Sequence, residues 1–387
     1  MPIVVMLLSN AFRPDPRVLK EANSLAAAGY TVTIICWDRL SELPSEDTLE
    51  SGVRLLRIQN VRTVYGAGAR QILKTPRFWS AAVRKALPLE PDVVHCHDLD
   101  TLYAGWQVKR KLGCKLLFDA HEDYPALMSL YLPGIFVYLL RLFERYLLKR
   151  VDATVAASSV FMDKLNSAGF SPLVHIPNVP YLEPFRGIRL EEIANVRQGL
   201  GLGLEDYVVC YIGGFTRNRL LLPLIEAMRS LPEVTLLLFG DGHQRQAVED
   251  SIGEMANVKY LGWLPAGQVP LYSCLSDVIY YCLKPDYPGA AYNASNTLSN
   301  AMAAGKPVIA NDIGDLGRMV RNTGCGLLLE EVTPQAIREA ILKLADPALR
   351  NRLGIAGWQA AQSEYNWSVS EARLLDLYQS LRTKKKK

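Results

Sequence analysis

The 387 residues carry 43 Lys and Arg against 39 Asp and Glu, a net charge of +4, with 49% hydrophobic and 21% charged residues. That composition is that of a soluble globular chain with a large core; it excludes disorder, and the length favours two domains over one. The four lysines Lys384 to Lys387 equal the whole net charge, so no basic imbalance points to nucleic acid.

Seven cysteines stand at 36, 96, 114, 210, 274, 282 and 325, several inside apolar runs such as TVTIICW and YVVCYIG, with no CxxC pair. They read as buried free thiols in a reducing compartment, which makes the cytoplasm the expected address. MPIVVMLLSN has no basic region before its apolar run and reads as a first strand, not a signal peptide. No window reaches membrane-spanning length.

In chain order, VVMLL is a strand buried on both faces, RVLKEANSLAAAGY a helix ended by Gly29, and TVTIICW the next strand. A β-α-β order demands parallel pairing with a crossover, the opening of a doubly wound α/β domain. The intervening turn, SNAFRPDPR, lacks GxGxxG, which excludes a standard NAD site. VRLLRIQ is a third strand and FWSAAVRKAL a helix, and strand, loop, helix, strand and loop follow through PDVVHCHDLDTLYAGWQVKRKLGCKLLFDAHEDYP.

Ligand groups in an open parallel sheet sit beyond the carboxyl ends of its strands. Two successive ends are polar here: His95, His97, Asp98 and Asp100 after one, Asp119, His121, Glu122 and Asp123 after the other. The following apolar helix, Leu132 to Arg150, carries Arg141, Arg145, Lys149 and Arg150. It has two readings, a core helix with a solvated face or an interfacial helix on anionic lipid.

ATVAASS and LVHIPN close the first domain, and Pro180, Pro184 and several glycines mark a linker. The second domain opens with the strand DYVVCYIGGF and a helix over TRNRLLLPLIEAMRSL, followed by VTLLLFGDGH, NVKYLGW and DVIYYCL. In Asn293 to Asp312 a polar loop leads into a short helix, Asn296 to Ala304, then a Gly305 stop and the strand PVIA. The expected division is 1–180 and 204–365, with a linker over 181–203. A final helix and lysine tail at 366–387 are long enough to return toward the first domain.

A free helix N-terminus at Asn296 and Thr297 is a natural anion site. Gly213 and Gly214 permit close backbone approach, and Arg217 and Arg219 can make charge-assisted contacts to phosphate. HCHDLD also raises a metal reading, because HxH at a strand end is a ligand spacing of metallohydrolases. A barrel of that kind needs further histidines on later strands, and two open-sheet domains do not supply them. The expectation is no metal. Neither a GxSxG elbow nor a cysteine in an electropositive turn supports nucleophilic catalysis.

Together DPRVLKEANSLAAAGYTVTII, HDLDTL with DAHE, HIPN, YIGGFTRNR, FGDGH, YLGW, NAMAAGKPVIA and the late YNW resemble the retaining, family-4-type nucleotide-sugar glycosyltransferases of group 1. The resemblance spans nearly the whole chain. It implies an α/β chain of GT-B fold, two Rossmann-like doubly wound parallel-sheet domains facing a cleft. It also implies metal-independent transfer of a sugar, with anomeric configuration retained, to a hydroxyl acceptor that is a glycan, lipid-linked or a small molecule. The co-substrate it implies is a nucleotide-diphosphate sugar, UDP- or GDP-linked, with no separate cofactor.

Residue by residue, Arg219 matches the group that grips the donor diphosphate and Arg217 shares that task. Gly213, Gly214, Gly240 and Gly242 match the donor loops. Asn296 and Thr297 match the helix facing the diphosphate, and Asn300 falls where a ribose-binding Glu is usual. His121 matches the active-site histidine. Asn10, Arg17, His97, Asp98, Asp100 and Glu122 fall on the acceptor side. The family's paired glutamates are Tyr292 and Asn300 here, and the Lys of its NK-L-x-E variant is Thr297. That departure opens an alternative, a non-catalytic GT-B protein that binds a nucleotide sugar or glycan. The basic apolar helix at 132–150 and the lysine tail add an expected peripheral contact with an anionic membrane, at its inner face.

Overall fold

The computed structural model describes residues 1–13, 15–63, 69–170 and 172–383. The lysine tail named above lies outside them. The chain divides into two compact units, Met1–Pro177 together with the chain from Glu371, and Asn178–Ser370.

In the first unit the described strands are β1 (Ile3–Leu8), β2 (Thr31–Trp37), β3 (Glu46–Thr48), β4 (Arg54–Ile58), β5 (Val93–His97), β6 (Lys115–Ala120), β7 (Ala153–Ala156) and β8 (Leu173–His175). They form one sheet in the order β3-β4-β2-β1-β5-β6-β7-β8. Val4 to Leu7 are fully buried in β1, as a strand covered by helices on both faces must be. All pairings are parallel except β3 on β4, where the short, exposed segment Glu-Asp-Thr blunts the sheet edge. Helix Leu99–Leu112 lies tight on β5: a Cβ on Gly105 would stand 2.2 Å from Cys96 Sγ. All seven cysteines are unpaired, and all but Cys274 are buried.

The second unit holds β9 (Tyr207–Ile212), β10 (Val234–Phe239), β11 (Val258–Tyr260), β12 (Val278–Tyr281), β13 (Val308–Asn311) and β14 (Gly326–Leu329), in the order β11-β10-β9-β12-β13-β14 and wholly parallel. The segment expected as a linker carries two helices, Glu183–Arg186 and Leu190–Gly199, and Leu182, Phe185 and Leu202 pack into this unit's core. A helix over Pro347–Ser363 precedes the last helix, Trp367–Thr383, whose first residue is fully buried in the second unit.

Strand order reverses once in each sheet, between β1 and β5 in the first and between β9 and β12 in the second. Helices leave opposite faces at these points and open a crevice outside the carboxyl ends. The expected helix over TRNRLLLPLIEAMRSL begins only at Leu221. The preceding TRNR is instead drawn along the end of β12, with Arg219 bridged to Leu283, Leu220 N–H on Cys282 O and Lys284 N–H on Asn218 O.

The glycines beyond β9 and β10 are packed against one another. Gly213 N–H donates to Phe239 O, Phe215 N–H to Asp241 O and Gln244 N–H to Phe215 O, which carries the ladder past the ends of both strands. Gly240 (φ +150°) would place a Cβ 1.9 Å from Gly213 O, and Gly242 (φ +148°) one 2.6 Å from Phe215 O. Gly240→Ala should therefore destabilise the unit by about 3 kcal/mol, through clash and backbone strain together. Gly267→Ala, which meets no atom within 4 Å, should stay within about 0.5 kcal/mol of wild type. Urea unfolding of the two variants checks the contrast.

Candidate functional site

At the switch point of the second sheet four stretches converge. β9 ends at Ile212, whose carbonyl accepts from Thr297 Oγ1 (2.9 Å), so the start of helix Asn296–Ala303 is tied to the base of the Gly213–Gly214 turn. Tyr211 Oη donates to Gly214 O (2.8 Å) and holds that turn closed. Arg219 stacks its guanidinium 4.5 Å from the ring centroid of Tyr281, and Tyr281 Oη donates to Asn293 Oδ1 (2.9 Å) in the loop ahead of the helix. Ser295 caps the helix by accepting from Leu298 N–H, and the N–H groups of Asn296 and Thr297 precede that bond without intrahelical acceptors. Asn296 is exposed and Asn300 half-buried one turn on.

The most informative atoms are those of Arg219. Its Nε and Nη1 are buried and make no hydrogen bond of good geometry, with the Tyr211 and Tyr281 hydroxyls the polar groups beside the guanidinium. A buried guanidinium donor left unmade costs free energy unless a ligand takes it up. Arg217, two residues earlier, is exposed.

At the switch point of the first sheet lies a cluster of charged groups. Asp15 caps helix Pro16–Ala27 and thereby orients Arg17 on its first turn. Arg17 meets Asp119 as a fork, Nε to Oδ2 and Nη2 to Oδ1, both 2.9 Å, and Nη1 donates to Ile176 O (2.8 Å). His121 sits between two carboxylates, Nε2 3.1 Å from Asp119 Oδ2 and Nδ1 3.3 Å from Asp98 Oδ2, while its backbone N–H donates to Asp98 Oδ1. His97 Nδ1 lies 3.4 Å from both Asp119 Oδ2 and His121 Nε2. Asp98 reaches His121 from a left-handed backbone, φ +63°, rare outside glycine and typical of constrained sites.

Burial opposes an imidazolium at His121, but Asp98 and then Asp119 outweigh it and raise the pKa to about 10. Burial also opposes charge on Asp119, yet Arg17 and His121 hold it well below the usual carboxylate range. Glu21, one helical turn from Arg17, is driven the other way: burial and the neighbouring Asp119 push it up to about 8. Burial, with Asp98 nearby, lifts Asp100 to about 6. At neutral pH charged Arg17 and His121 thus face ionised Asp119, with Glu21 as the neutral acid, while burial pushes Asp98 upward against the pull of His121.

The structure brings Arg17, His97, Asp98 and His121 together, with Asp100 on the helix turn beside them. Asn10 instead braces its own loop, accepting from Phe12 N–H and donating to Asp15 Oδ2. Glu122 is exposed. Glu21 was missed from sequence, while Asp119 and His95 were named there only as members of polar strand ends and given no role. Their signals were present: Arg17 and Glu21 stand at i,i+4 on one helix face, and His95 and His97 at i,i+2 on one strand face. Tyr378, from the last helix, bonds His95 Nδ1 at 3.0 Å. Ligand atoms of Glu21, His95, His97 and Asp119 lie within 4.8 Å of one another, a donor set that a cation could use, although the Arg17 fork already places a positive charge on Asp119.

Two family models match the chain: Glycosyltransferase Family 4 over residues 17–179 and Glycosyl transferases group 1 over 206–346. A phosphatidyl-myo-inositol mannosyltransferase of Mycobacterium leprae is 24% identical over 82% of this chain and 81% of its own. A GDP-mannose-dependent alpha-mannosyltransferase of Mycolicibacterium smegmatis is 24% identical over 97% of each chain. Among solved structures, sucrose-phosphate synthase from Thermosynechococcus elongatus superposes with a TM-score of 0.82 at 21% identity, covering 99% of this chain and 100% of its own. The two doubly wound parallel-sheet units are those of the GT-B fold.

The raised pKa of His121 carries a sign. Its folded value of about 10 exceeds the ordinary 6.5, so its contribution to stability is complete below pH 6.5 and is lost as pH rises through 10. The difference in unfolding free energy between wild type and His121→Gln should shrink steadily from pH 7 to pH 10, as urea titrations at fixed pH would read.

Proposed function

The chain belongs to the family 4 and group 1 glycosyltransferases, and on that premise we propose that it moves a sugar from a nucleotide-diphosphate sugar to a hydroxyl acceptor with retention of configuration and without a metal. The observation that carries this is Arg219, with two buried donors that make no hydrogen bond of good geometry at the switch point of the second sheet. Beside it stand the Gly213–Gly214 turn and the start of helix Asn296–Ala303. A nucleoside diphosphate would satisfy Arg219, with exposed Arg217 as a second cation and the N–H groups of Asn296 and Thr297 as backbone donors. Gly240 and Gly242 serve the donor by fixing the turn from behind. Asn300 is the group for the ribose hydroxyls, by neutral bonds where a carboxylate would make charged ones.

In this reading negative charge grows on the departing diphosphate and is stabilised by cations and N–H groups already in position, so catalysis is largely electrostatic preorganisation. The acceptor hydroxyl attacks from the face the diphosphate leaves, so that its oxygen bonds the anomeric carbon as the bond from that carbon to the diphosphate oxygen breaks, and its proton passes to the departing diphosphate. His121, kept as an imidazolium by Asp98 and Asp119, lends positive charge beside the transferred sugar. Arg17 and His97 hold that arrangement, while Asp98, Asp100, Glu122 and the Asn10 loop flank the acceptor.

The donor is a GDP- or UDP-sugar, a reading supported by the GDP-mannose dependence named for one relative. The acceptor is a glycan or lipid-linked hydroxyl, and the phosphatidyl-myo-inositol of another relative's name supports the lipid class. No described helix is long and apolar enough to cross a membrane. Work at an anionic membrane face is supported instead by exposed Ile135, Tyr138, Leu142, Arg145 and Lys149, and a cytoplasmic setting by the free cysteines. A binding-only role is not favoured, since the relatives are named enzymes.

Arg219→Ala should lower kcat/KM by a factor of about 10²–10³, the loss typical of one preorganised donor, with an unchanged unfolding curve. A transfer screen across UDP-, GDP- and ADP-sugars measures it, and an unaltered rate would count against the donor assignment. Asn300→Glu should lower the donor KM by about fivefold, because a bond to a carboxylate is stronger than one to an amide by roughly 1 kcal/mol.

A further inference from the structure

Helix Gly134–Leu148 does not behave as a core helix: of its large apolar residues only Leu147 and Leu148 are fully buried. Ile135, Phe136, Tyr138, Leu139, Leu142 and Tyr146 are 43–62% exposed, and Tyr131 just before it is 50% exposed. A contiguous apolar surface of this kind marks a binding face. Under its first turns lies a cavity of about 670 Å³, walled by Trp79, Met128, Leu132, Leu140 and Phe143 and rimmed by Tyr131, Phe136 and Leu139. That volume falls within the roughly 300–1,000 Å³ of ligand pockets. Asp100 also lines it, with a buried Oδ1 that has no partner. Asp100 is two residues from Asp98, which meets His121.

We propose that this cavity binds the hydrocarbon chain of the acceptor, an acyl or isoprenoid chain whose hydroxylated head is met by Asp100. The proposal rests on the glycosyltransferase reading for the word acceptor, and on the cavity for the chain. Three physical arguments select that occupant. An apolar cavity stays dry and takes apolar guests. A peptide would bring N–H and C=O groups that need partners, and the lining offers few polar side chains beyond Thr75, Asp100 and two tyrosine hydroxyls. A bilayer surface wets an exposed face but does not fill a concavity, whereas a single chain fills it. The Trp79 indole N–H is already bonded to Asp100 O, so that part of the wall presents only ring surface.

Calorimetric titration of the full chain with n-hexyl to n-dodecyl β-glucosides, each below its micelle concentration, tests the idea. Kd should fall about three- to fourfold per added methylene until the cavity is full, the increment expected for a buried CH₂. Met128→Trp, which narrows the cavity, should raise the Kd of dodecyl glucoside severalfold and leave GDP or UDP binding unchanged. Phe136→Ala, an exposed rim change that does not threaten folding, should raise it severalfold.

Affinity independent of chain length, or unmoved by both variants, overturns the proposal. So does binding to phosphatidylglycerol vesicles without any chain-length dependence, which assigns the face to a bilayer, and a dimer seen by ultracentrifugation without glucoside binding, which assigns it to a second copy. Transfer to methyl glucoside with no chain-length dependence makes this inference fail alone. Chain-dependent binding with no transfer from any nucleotide sugar supports the cavity and makes the proposed reaction fail alone.

Discussion

Parallel pairing puts every strand's carboxyl end on one edge of its sheet, and a reversal in strand order leaves one place on that edge where the crossovers part. Both candidate sites sit at that place, one between β1 and β5 and the other between β9 and β12. The same constraint explains why the functional stretches are remote in sequence. Ile212 and Thr297 meet across 85 residues, and Arg17 and Asp119 across 102. Neither contact would form if a single strand slipped, because register and crossover hand are set by burial of both sheet faces.

Within the first unit the Arg17–Asp119 fork organises the charge. Two parallel N–H···O bonds in a buried setting satisfy much of both groups, and removal of either partner would strand the other, at a cost of roughly 3–5 kcal/mol. Asp119 can then hold His121 as an imidazolium, and Glu21, the third carboxyl, stays protonated because burial and the negative charge of Asp119 outweigh the pull of Arg17 and His121. Both ring nitrogens of the histidine face carboxylates, which fixes its positive charge in place. In the second unit the arrangement is reversed. Arg219 is held by ring stacking and backbone pairing rather than by a carboxylate, which leaves its buried donors for a ligand.

Much was legible along the chain. Runs such as VVMLL, TVTIICW and YVVCYI carry their strand character in composition alone, and Gly305 stands at φ +65°, the left-handed stop its place after the helix required. The placement of His121 and Asp98 at strand ends and of Gly213 and Arg219 at a glycine turn was legible because such features are visible in one dimension. Asp119 and His95 were seen only as parts of polar strand ends, and Glu21 was not singled out, because each reads as an ordinary member of a helix or strand until its partner arrives from elsewhere. TRNR was read as helix because it runs straight into LLLPLIEAM; tertiary pairing with the end of β12 holds it extended and delays the helix to Leu221.

The sequence by itself determined the element order, the two parallel sheets and the residue types at their carboxyl ends, since hydrophobic periodicity and glycine placement are local. Tertiary structure alone decided which charges pair, that Gly240 and Gly242 pack on the neighbouring turn, that Arg219 keeps two donors unmade, and that an apolar helix roofs a cavity instead of entering a core. Those outcomes depend on distances between residues tens to hundreds of positions apart, and burial, not composition, determines the energy of a charge or a void at such a point.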